Sequence, residues 1–343
     1  MKFLKKHRSI VVSVLTILAI LLVILTYVYF APFRDTVNLV LVGFIIAYAL
    51  RPLSQYISTK LNIKLRTSAM IIIALIFIGI GLIIYIFTPI IIQESSNFGD
   101  MLDNVDVYVE QLISSLGLSD VEFVNNIYSQ VNEQLNSFLV NLTPMIIENI
   151  SSVLGSLMSL AVIPVVSYYF LVDGEFLYNK ALLILPTEKR IVFRRIFKNV
   201  DKVISRYIVS QFLLSFIIAI LTTVVLMIFK VKFALVLGII NGVFNIIPYF
   251  GPIFGMIPAI IVAFIQSPST AIWTAASIFA IQQIEGNILS PKITADSTDM
   301  HPITIIILLI IGEKIGGIVG MIIIVPIGVM IKVIYDDINY YLF

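Results

Sequence analysis

An apolar stretch from Phe233 to Phe264 is broken in its middle by the sequence Pro248-Tyr249-Phe250-Gly251-Pro252. Each apolar flank has about 15 residues, which as an α-helix reach only about 22 Å. The hydrocarbon core of a bilayer is about 30 Å thick, so neither flank spans it comfortably. The stretch therefore predicts either a re-entrant hairpin with its tip at membrane depth, or two short tilted helices joined by a surface turn.

We favour the hairpin, placed at residues 233–265, because of what the break implies. Irregular backbone at membrane depth is tolerated where it is buried in protein or lines a wet cavity. In transporters, such broken segments commonly form the substrate or ion site. The break residues Pro248, Tyr249, Gly251 and Pro252 are therefore candidates for a transport pathway.

Composition indicates an all-α polytopic membrane protein. Of the 343 residues, 59 % are hydrophobic and 12 % are charged, and several apolar runs reach the length of about 18 residues expected of a spanning helix. The alternating pattern of a membrane β-barrel is absent. There is no cysteine, which excludes disulfides and thiolate metal sites. With only His7 and His301 as imidazoles, we expect no metal site and no cofactor.

Motifs of the common enzymes and pumps are missing as well. The sequence has no Walker A motif, no GxSxG and no HExxH. We therefore expect neither an enzyme nor ATP-driven transport within this chain. The net charge of +2 gives no indication of nucleic-acid binding.

The hydrophobic pattern divides the chain into five parts. They are N-terminal membrane helices over 1–92 (about 10–30, 37–50 and 67–92), an extracytoplasmic amphipathic helical segment over 93–148, membrane helix four over 149–172, a cytoplasmic basic amphipathic helix over 173–206, and a transport core over 207–343. Within the core we expect helix five at 207–229, a spanning helix at 271–288, and a second broken hairpin at 301–335.

Charge distribution predicts the orientation of these parts. Segment 51–66 carries four Lys or Arg and no acid, and segment 173–206 carries eight against four acids, whereas 93–148 has nine acids and no Lys or Arg. Short loops rich in Lys and Arg collect on the cytoplasmic side. We therefore expect a multi-pass protein of the cytoplasmic membrane with both termini cytoplasmic.

Two amphipathic segments have an apolar face that needs a partner. Segment 93–148 is expected to pack on the membrane domain, on lipid headgroups or on a neighbouring subunit, and we expect a homo-oligomer. The basic helix within 173–206 is expected to lie along the anionic inner leaflet. Asp173 is interpreted as an interfacial charge at the end of helix four.

The two broken stretches share a spacing of two glycines and a proline. The G-x3-G-x5-P pattern comprises Gly238, Gly242 and Pro248 in the first and Gly316, Gly320 and Pro326 in the second. Because one half starts inside and the other outside, this predicts an inverted repeat with a site near the midplane. Glycines four apart are also common where membrane helices pack closely.

Glu285 is the main candidate for chemistry, because a carboxylate within an apolar helix is costly and usually faces a polar cavity or partner. Gln282 lies on the same face, with Asn287 beside it. Such a group can bind a proton or Na⁺, whose preference for oxygen ligands suits carboxylates and amides. The alternative is a solvated carboxylate at the cytoplasmic interface.

Further polar candidates lie in the two broken stretches. Asn241 and Asn245 are four residues apart on one helix face and could line the pathway or bridge helices. Glu313 and Lys314 lie in the second break, Gly312 to Gly317, either paired at membrane depth or in a surface turn.

Several ordered motifs resemble those of the autoinducer-2 exporter family, the PerM-like permeases. They are Pro164-x-x-Ser167-Tyr-Tyr-Phe-Leu-x-Asp173-Gly174, Asn245-x-x-Pro248-Tyr-Phe-Gly-Pro252, Gln282-x-x-Glu285-Gly-Asn with Pro291-Lys292, His301-Pro302, and Gly317-x-x-Gly320 with Pro326. The likeness covers nearly the whole chain. Glu285 matches the family's acidic position after a glutamine pair, whereas Glu313 and Lys314 stand where the family varies.

This resemblance implies about eight membrane segments and a secondary transporter of the inner membrane. Autoinducer-2 export is described for some members of that family and Na⁺(Li⁺)/H⁺ antiport for others, so the substrate does not follow from the resemblance. Three functions stay open: movement of a small polar solute or ions, Na⁺(Li⁺)/H⁺ antiport through Glu285, and a non-transporting membrane scaffold.

Overall fold

A computed structural model of the chain describes residues 18–19, 21–95, 157–183, 187, 190–294 and 300–342. Within these residues the regular structure is entirely helical. After a helical stretch at 21–29, the elements are α1 Ala31–Leu61, α2 Leu65–Ser95, α3 Leu157–Leu183, α4 Arg190–Ile228, α5 Ala234–Phe244, α6 Phe250–Gln266, α7 Pro268–Ile284, a π-helical turn Glu285–Leu289, α8 Ser290–Thr294 and α9 Pro302–Leu342.

Four of these helices are long and apolar enough to cross a membrane. By length and composition they are Ala31–Leu61, Ala161–Lys180 within α3, Arg190–Ile228 and Pro302–Tyr340, the last of which bends at Gly316 and Gly317. Many of their Leu, Ile and Phe side chains are exposed on the outer surface, which in water would be unfavourable and in lipid is the expected arrangement. The described chain is thus an all-helical membrane protein. The predicted amphipathic segment 93–148 lies outside the described residues beyond Ser95.

Helix α1 is longer than the predicted helix at 37–50. It begins directly after Phe30, with a proline in its first turn, where a missing N–H costs nothing. It continues through Pro52 and ends at Asn62, whose left-handed φ of 52° turns the chain. The predicted basic loop 51–66 is therefore mostly helical, and only residues 62–64 connect α1 to α2.

Helices α1, α2 and α3 form one packed group. The Ser68 hydroxyl of α2 donates to the Ser54 carbonyl at 2.8 Å, and the Ser167 hydroxyl of α3 donates to the Gly43 carbonyl at 3.0 Å. Since α3 runs on to Leu183, Asp173 does not close a helix as predicted. Its carboxylate pairs instead with Arg66 of α2 at 3.4 Å.

Helix α4 has 39 residues and is unbroken across the predicted boundary at residue 206. Ile196, Val200 and Ile204 in its basic half are buried in a core that also holds residues of α1 and α9. The apolar face of this segment therefore packs against protein, which differs from the predicted helix lying along the inner leaflet. Polar and charged residues of helix-forming type simply extend the membrane helix at its end.

Two helical hairpins pack on this frame. In the first, α5 has 11 residues, α6 has 17, and the chain between them covers Asn245 to Tyr249. The second lies within α9, where Gly316 and Gly317 leave the helical conformation, with φ of +58° at Gly317. A Cβ at Gly312 would lie 2.7 Å from the Gly320 carbonyl oxygen, so the two arms of α9 meet at these glycines.

Candidate functional site

Polar side chains from α4, α5 and the end of α7 meet inside the helix bundle. We call this the polar cluster; hydrogen bonds join Gln211, Asn245 and Glu285 and, one turn away on α5, Thr222 and Asn241, and we include Gln282, which precedes Glu285 by one helical turn. Asn241 is 0 % exposed and Asn245 is 1 % exposed. Four of its six members, namely Asn241, Asn245, Gln282 and Glu285, are residues that the sequence singled out.

Asn245 links three elements of the cluster. Its side-chain amide donates to Glu285 Oε1 at 2.8 Å, and its backbone carbonyl accepts from Gln211 Nε2 at 2.7 Å. Asn245 is the C-cap residue directly after α5 and the first residue of the break, at a helix end that leaves carbonyl groups without intrahelical partners. Gln211 of α4 satisfies one of them. The tip of the first hairpin is thus held at the level of Gln211.

Asn241 lies one turn earlier on α5 and faces α4. Its side-chain amide donates to the Thr222 hydroxyl at 2.7 Å. Beside it, a Cβ at Gly242 would lie 2.7 Å from the Ser215 carbonyl oxygen, so α5 lies directly on the α4 backbone. Gly238 is similarly close to Ala219 and Thr223 of α4. The two predicted packing glycines of the first hairpin therefore let α5 approach α4.

Glu285 begins the π-helical turn, in which the Ser290 amide reaches back to the Glu285 carbonyl. Such a turn adds a residue to the helix and is frequent at functional sites. Beyond it, the Ile293 carbonyl of α8 accepts from the Ser210 hydroxyl at 2.9 Å. Glu285 is thus fixed on both sides against α4 and the first hairpin.

Several atoms of the cluster are buried without a hydrogen-bond partner among the described residues. They are Glu285 Oε2, Asn245 Oδ1, Asn241 Oδ1 and Gln282 Nε2. A buried polar atom without a partner costs about 1–3 kcal/mol, and such atoms in a native protein require an explanation. The cluster therefore offers a carboxylate oxygen, amide oxygens and an amide N–H, a set that can bind a cation, a proton or a small polar molecule.

The break between α5 and α6 is a strained turn. Tyr249 has φ of 63° and ψ of −48°, and the Phe250 amide donates to the Pro248 carbonyl at 2.7 Å. This is a γ-turn with positive central φ, which is rare for any residue other than glycine. Gly251 follows with its Cα buried against the Phe244 carbonyl, a position that excludes a side chain. Pro252 lies in the first turn of α6, partly buried.

The remaining predicted site residues lie away from these contacts. Asn287 is exposed, and its amide donates to Gln283 at 3.1 Å. Glu313 and Lys314 are both exposed and pair with each other at 3.0 Å, before the bend at Gly316. That bend lies near the start of α1, since a Cβ at Gly316 would be 3.6 Å from Asn38 Nδ2.

The G-x3-G-x5-P spacing does not mark equivalent positions in the two hairpins. In the first, Gly238 and Gly242 lie in the first arm and Pro248 in the break. In the second, Gly316 forms the break, whereas Gly320 and Pro326 lie within the second arm. The glycines of the shared spacing therefore play different parts, with close helix packing at Gly238, Gly242 and Gly320 and a bend at Gly316. The motif alignment does not support the predicted inverted repeat, which stays a prediction.

Gln211 and Thr222 were missed at the sequence level. Each stands next to another polar residue, Ser210 or Thr223, in the apolar part of α4, and in a sequence such residues cannot be told from ones that bond within their own helix. Gly255 was missed as well, although it lies against Asn241 and lets α6 pack on α5. Only the packing of the first hairpin on α4 brings these positions together.

Comparison with known proteins identifies the family of this chain. The family model described as "AI-2E family transporter" matches residues 18–340. "Putative transport protein YueF" of Bacillus subtilis (strain 168) is 30 % identical over 308 residues, covering 87 % of this chain and 83 % of that protein. "Putative transport protein YrrI" of the same organism is 29 % identical over 330 residues, covering 91 % and 92 %. The chain therefore belongs to the AI-2E transporter family and is a membrane protein with a role in transport.

Proposed function

We propose that this protein is a secondary transporter of the cytoplasmic membrane and that the polar cluster binds the transported small polar solute or ion. The observation that carries the proposal is the pair of Asn245 and Glu285. One carboxylate oxygen of Glu285 is held by the Asn245 amide, while the other is buried and has no partner among the described residues. A fixed carboxylate with one free oxygen is suited to exchange of a ligand.

The surroundings of this pair also suit transport. The first hairpin carries Asn245 at its tip, and its arms of 11 and 17 residues are too short to span a bilayer comfortably. A re-entrant hairpin places such a tip at membrane depth, where broken helices of transporters hold their ligands. Intramembrane carboxylates also mark ion and proton pathways.

One test replaces Glu285 by Gln in purified protein reconstituted into proteoliposomes. Gln has the same shape and its side-chain oxygen still accepts from Asn245, but it carries no charge. Uptake of a panel of small polar solutes, with and without Na⁺ and pH gradients, is compared between the wild type, Glu285→Gln and Glu175→Gln. Glu175 is an exposed carboxylate of α3 and serves as the matched control.

We expect Glu285→Gln to lose transport and Glu175→Gln to keep it. Equal transport by all three proteins would show that the polar cluster is not the binding site. The scaffold function would be favoured if the wild type moved no member of the panel and if Glu285→Gln bound Na⁺ as the wild type does.

Na⁺(Li⁺)/H⁺ antiport is the second candidate, and the unpartnered oxygens favour it. Glu285 Oε2 and Asn245 Oδ1 supply the hard oxygen ligands that Na⁺ requires, and the carboxylate can alternatively take up a proton. A pH-sensitive dye inside the vesicles measures this directly. A Na⁺ pulse that moves protons in the wild type and in Glu175→Gln, but not in Glu285→Gln, supports antiport; solute uptake without proton movement contradicts it.

The membrane depth of the hairpin tip is testable because the chain contains no cysteine. Single cysteines are introduced at Tyr249, at the break, and at Lys230, in the turn between α4 and α5, and are labelled with a membrane-impermeant maleimide. We expect rapid labelling at position 230 and slow labelling at 249. Equally rapid labelling at both would place the break at the membrane surface.

A further inference from the structure

A second polar feature lies between α1 and the N-terminal half of α4, apart from the hydrogen bonds of the polar cluster. It is an open cavity of about 530 Å³. Four cationic side chains and one acidic side chain line it: Arg51, Lys198, Lys202, Arg206 and Asp201. Four positive charges and one negative charge leave a net charge of +3 in this basic cavity.

Asp201 is already engaged by α1. The Tyr48 hydroxyl and Arg51 Nη1 both donate to the Asp201 carboxylate, the latter at 3.0 and 3.1 Å. The acid therefore joins α1 to α4 and compensates Arg51. Asp201 is the only carboxylate among the described residues that line the cavity, and its hydrogen bonds go to α1 and not to the cations of α4.

Lys198, Lys202 and Arg206 form one stripe along α4, because they are four residues apart. None of them makes an ion pair with a carboxylate in the part of the chain that the structure describes. Like charges four apart on a helix destabilise it. A dianion between them would relieve this repulsion and accept several charge-assisted hydrogen bonds.

Uncharged donors complete the cavity lining. Ser205 lines it beside the cationic stripe of α4, and Gln55 lines it on the α1 side with Arg51. Guanidinium groups bind phosphate in a bidentate geometry and lysines act as point charges beside them. The volume exceeds that of one phosphate and falls in the range of small-molecule sites.

We propose that the basic cavity binds a phosphate group, carried either by an anionic lipid headgroup or by a soluble phosphate ester. A phosphate seated between Lys198, Lys202 and Arg206 on one wall and Arg51 on the other joins α4 to α1. This proposal does not depend on the transport site, because it concerns different residues and a different ligand.

The test compares two variants of the full-length protein with equal loss of charge. Lys198→Gln/Lys202→Gln removes two cations that line the cavity, whereas Arg194→Gln/Arg195→Gln removes two exposed cations of α4 that do not. Both variants reduce the general attraction to an anionic membrane equally. Arg206→Gln is a further single variant of the cavity. Thermal unfolding in detergent checks that each variant is folded.

Two arms separate the sources of the phosphate. In the first, the proteins are purified from nanodiscs of phosphatidylcholine with a minority of phosphatidylglycerol, and native mass spectrometry measures phosphatidylglycerol retained per chain. In the second, calorimetry in detergent measures binding of glycerol 3-phosphate. We expect the cavity variants to bind about tenfold more weakly than the wild type and the control variant in at least one arm, which corresponds to the loss of one charge-assisted hydrogen bond.

Loss confined to the first arm assigns the cavity to a lipid headgroup, and loss in the second arm assigns it to a soluble phosphate. Loss in both arms supports the shared chemistry and leaves either carrier able to occupy the site. Equal behaviour of the cavity and control variants in both arms overturns the proposal, as does absence of binding by the wild type in both.

Discussion

Gly255 of α6 lies directly against Asn241 of α5: a Cβ at position 255 would be 2.7 Å from the Asn241 Cα. The two arms of the first hairpin touch backbone to backbone here. On its other side, Asn241 donates to Thr222 of α4. The absence of a side chain at one position therefore determines whether three helices fit together.

Replacing Gly255 by Val should destabilise the protein by about 1–3 kcal/mol, the usual range for overpacking. The added side chain must displace Asn241 and with it the hydrogen bond to Thr222. Thermal or denaturant unfolding in detergent measures the change. Gly81→Val is the control, because a Cβ at Gly81 of α2 has no neighbour within 4 Å. If both substitutions destabilised the protein equally, the loss at Gly255 would be explained by helix propensity and not by overpacking.

Asn245 and Glu285 should prove energetically coupled. Asn245→Ala removes the only hydrogen bond that the structure records for the Glu285 side chain and should cost about 1–3 kcal/mol. In a Glu285→Ala background the same substitution should cost less, by about 1 kcal/mol, because no carboxylate is then left unpaired. A double-mutant cycle of unfolding free energies measures this coupling. Additive effects would contradict the hydrogen bond.

At position 249, glycine should give a more stable protein than alanine. The positive φ of Tyr249 costs a residue with a Cβ about 1 kcal/mol or more, and glycine avoids this cost. Tyr249→Gly should therefore unfold at a higher temperature than Tyr249→Ala, since both lack the aromatic ring. In an ordinary helix the order is reversed, so a higher midpoint for the alanine variant would show that the γ-turn is absent.

Asp201→Ala should destabilise the protein by about 1 kcal/mol at low salt, the upper part of the range for partly exposed ion pairs. It removes the acceptor of Tyr48 and Arg51 and leaves four uncompensated cations around the basic cavity. Added salt screens that repulsion, so the loss should shrink as ionic strength rises.

Asp336→Ala is the comparison for this prediction, because Asp336 is exposed and its contact with Lys332 is long, at 4.0 Å. We expect a smaller loss there. A salt-independent loss at Asp201, equal to that at Asp336, would mean that the cavity charges do not repel one another appreciably.

The sequence predicted helices well where a long apolar run was bounded by polar residues. The predicted helix 67–92 corresponds to α2, Leu65–Ser95. The prediction of helix ends failed where charged residues continue a helix, because Lys, Arg and Glu are good helix formers. For this reason α4 runs through the expected boundary at residue 206, and α1 passes the predicted end at residue 50.

Four of the six residues of the polar cluster were predictable from the sequence, but its contacts were not. Asn241, Asn245 and Glu285 stood out because polar residues are costly in apolar segments. The bond between Asn245 and Glu285 joins residues 40 apart in the chain, and it depends on how the first hairpin packs against α4. Gln211 and Thr222 gained importance only through that packing.

Helix α4 has no break between Arg190 and Ile228, a length of about 58 Å at the rise of an α-helix. Lys198 and Lys202 lie near one end, Gln211 near the middle, and Thr222 near the other end. Ser210, which lines the basic cavity, is the residue before Gln211 on this helix. A ligand that binds in the basic cavity would therefore contact the same continuous stretch of helix that holds the tip of the first hairpin through Gln211.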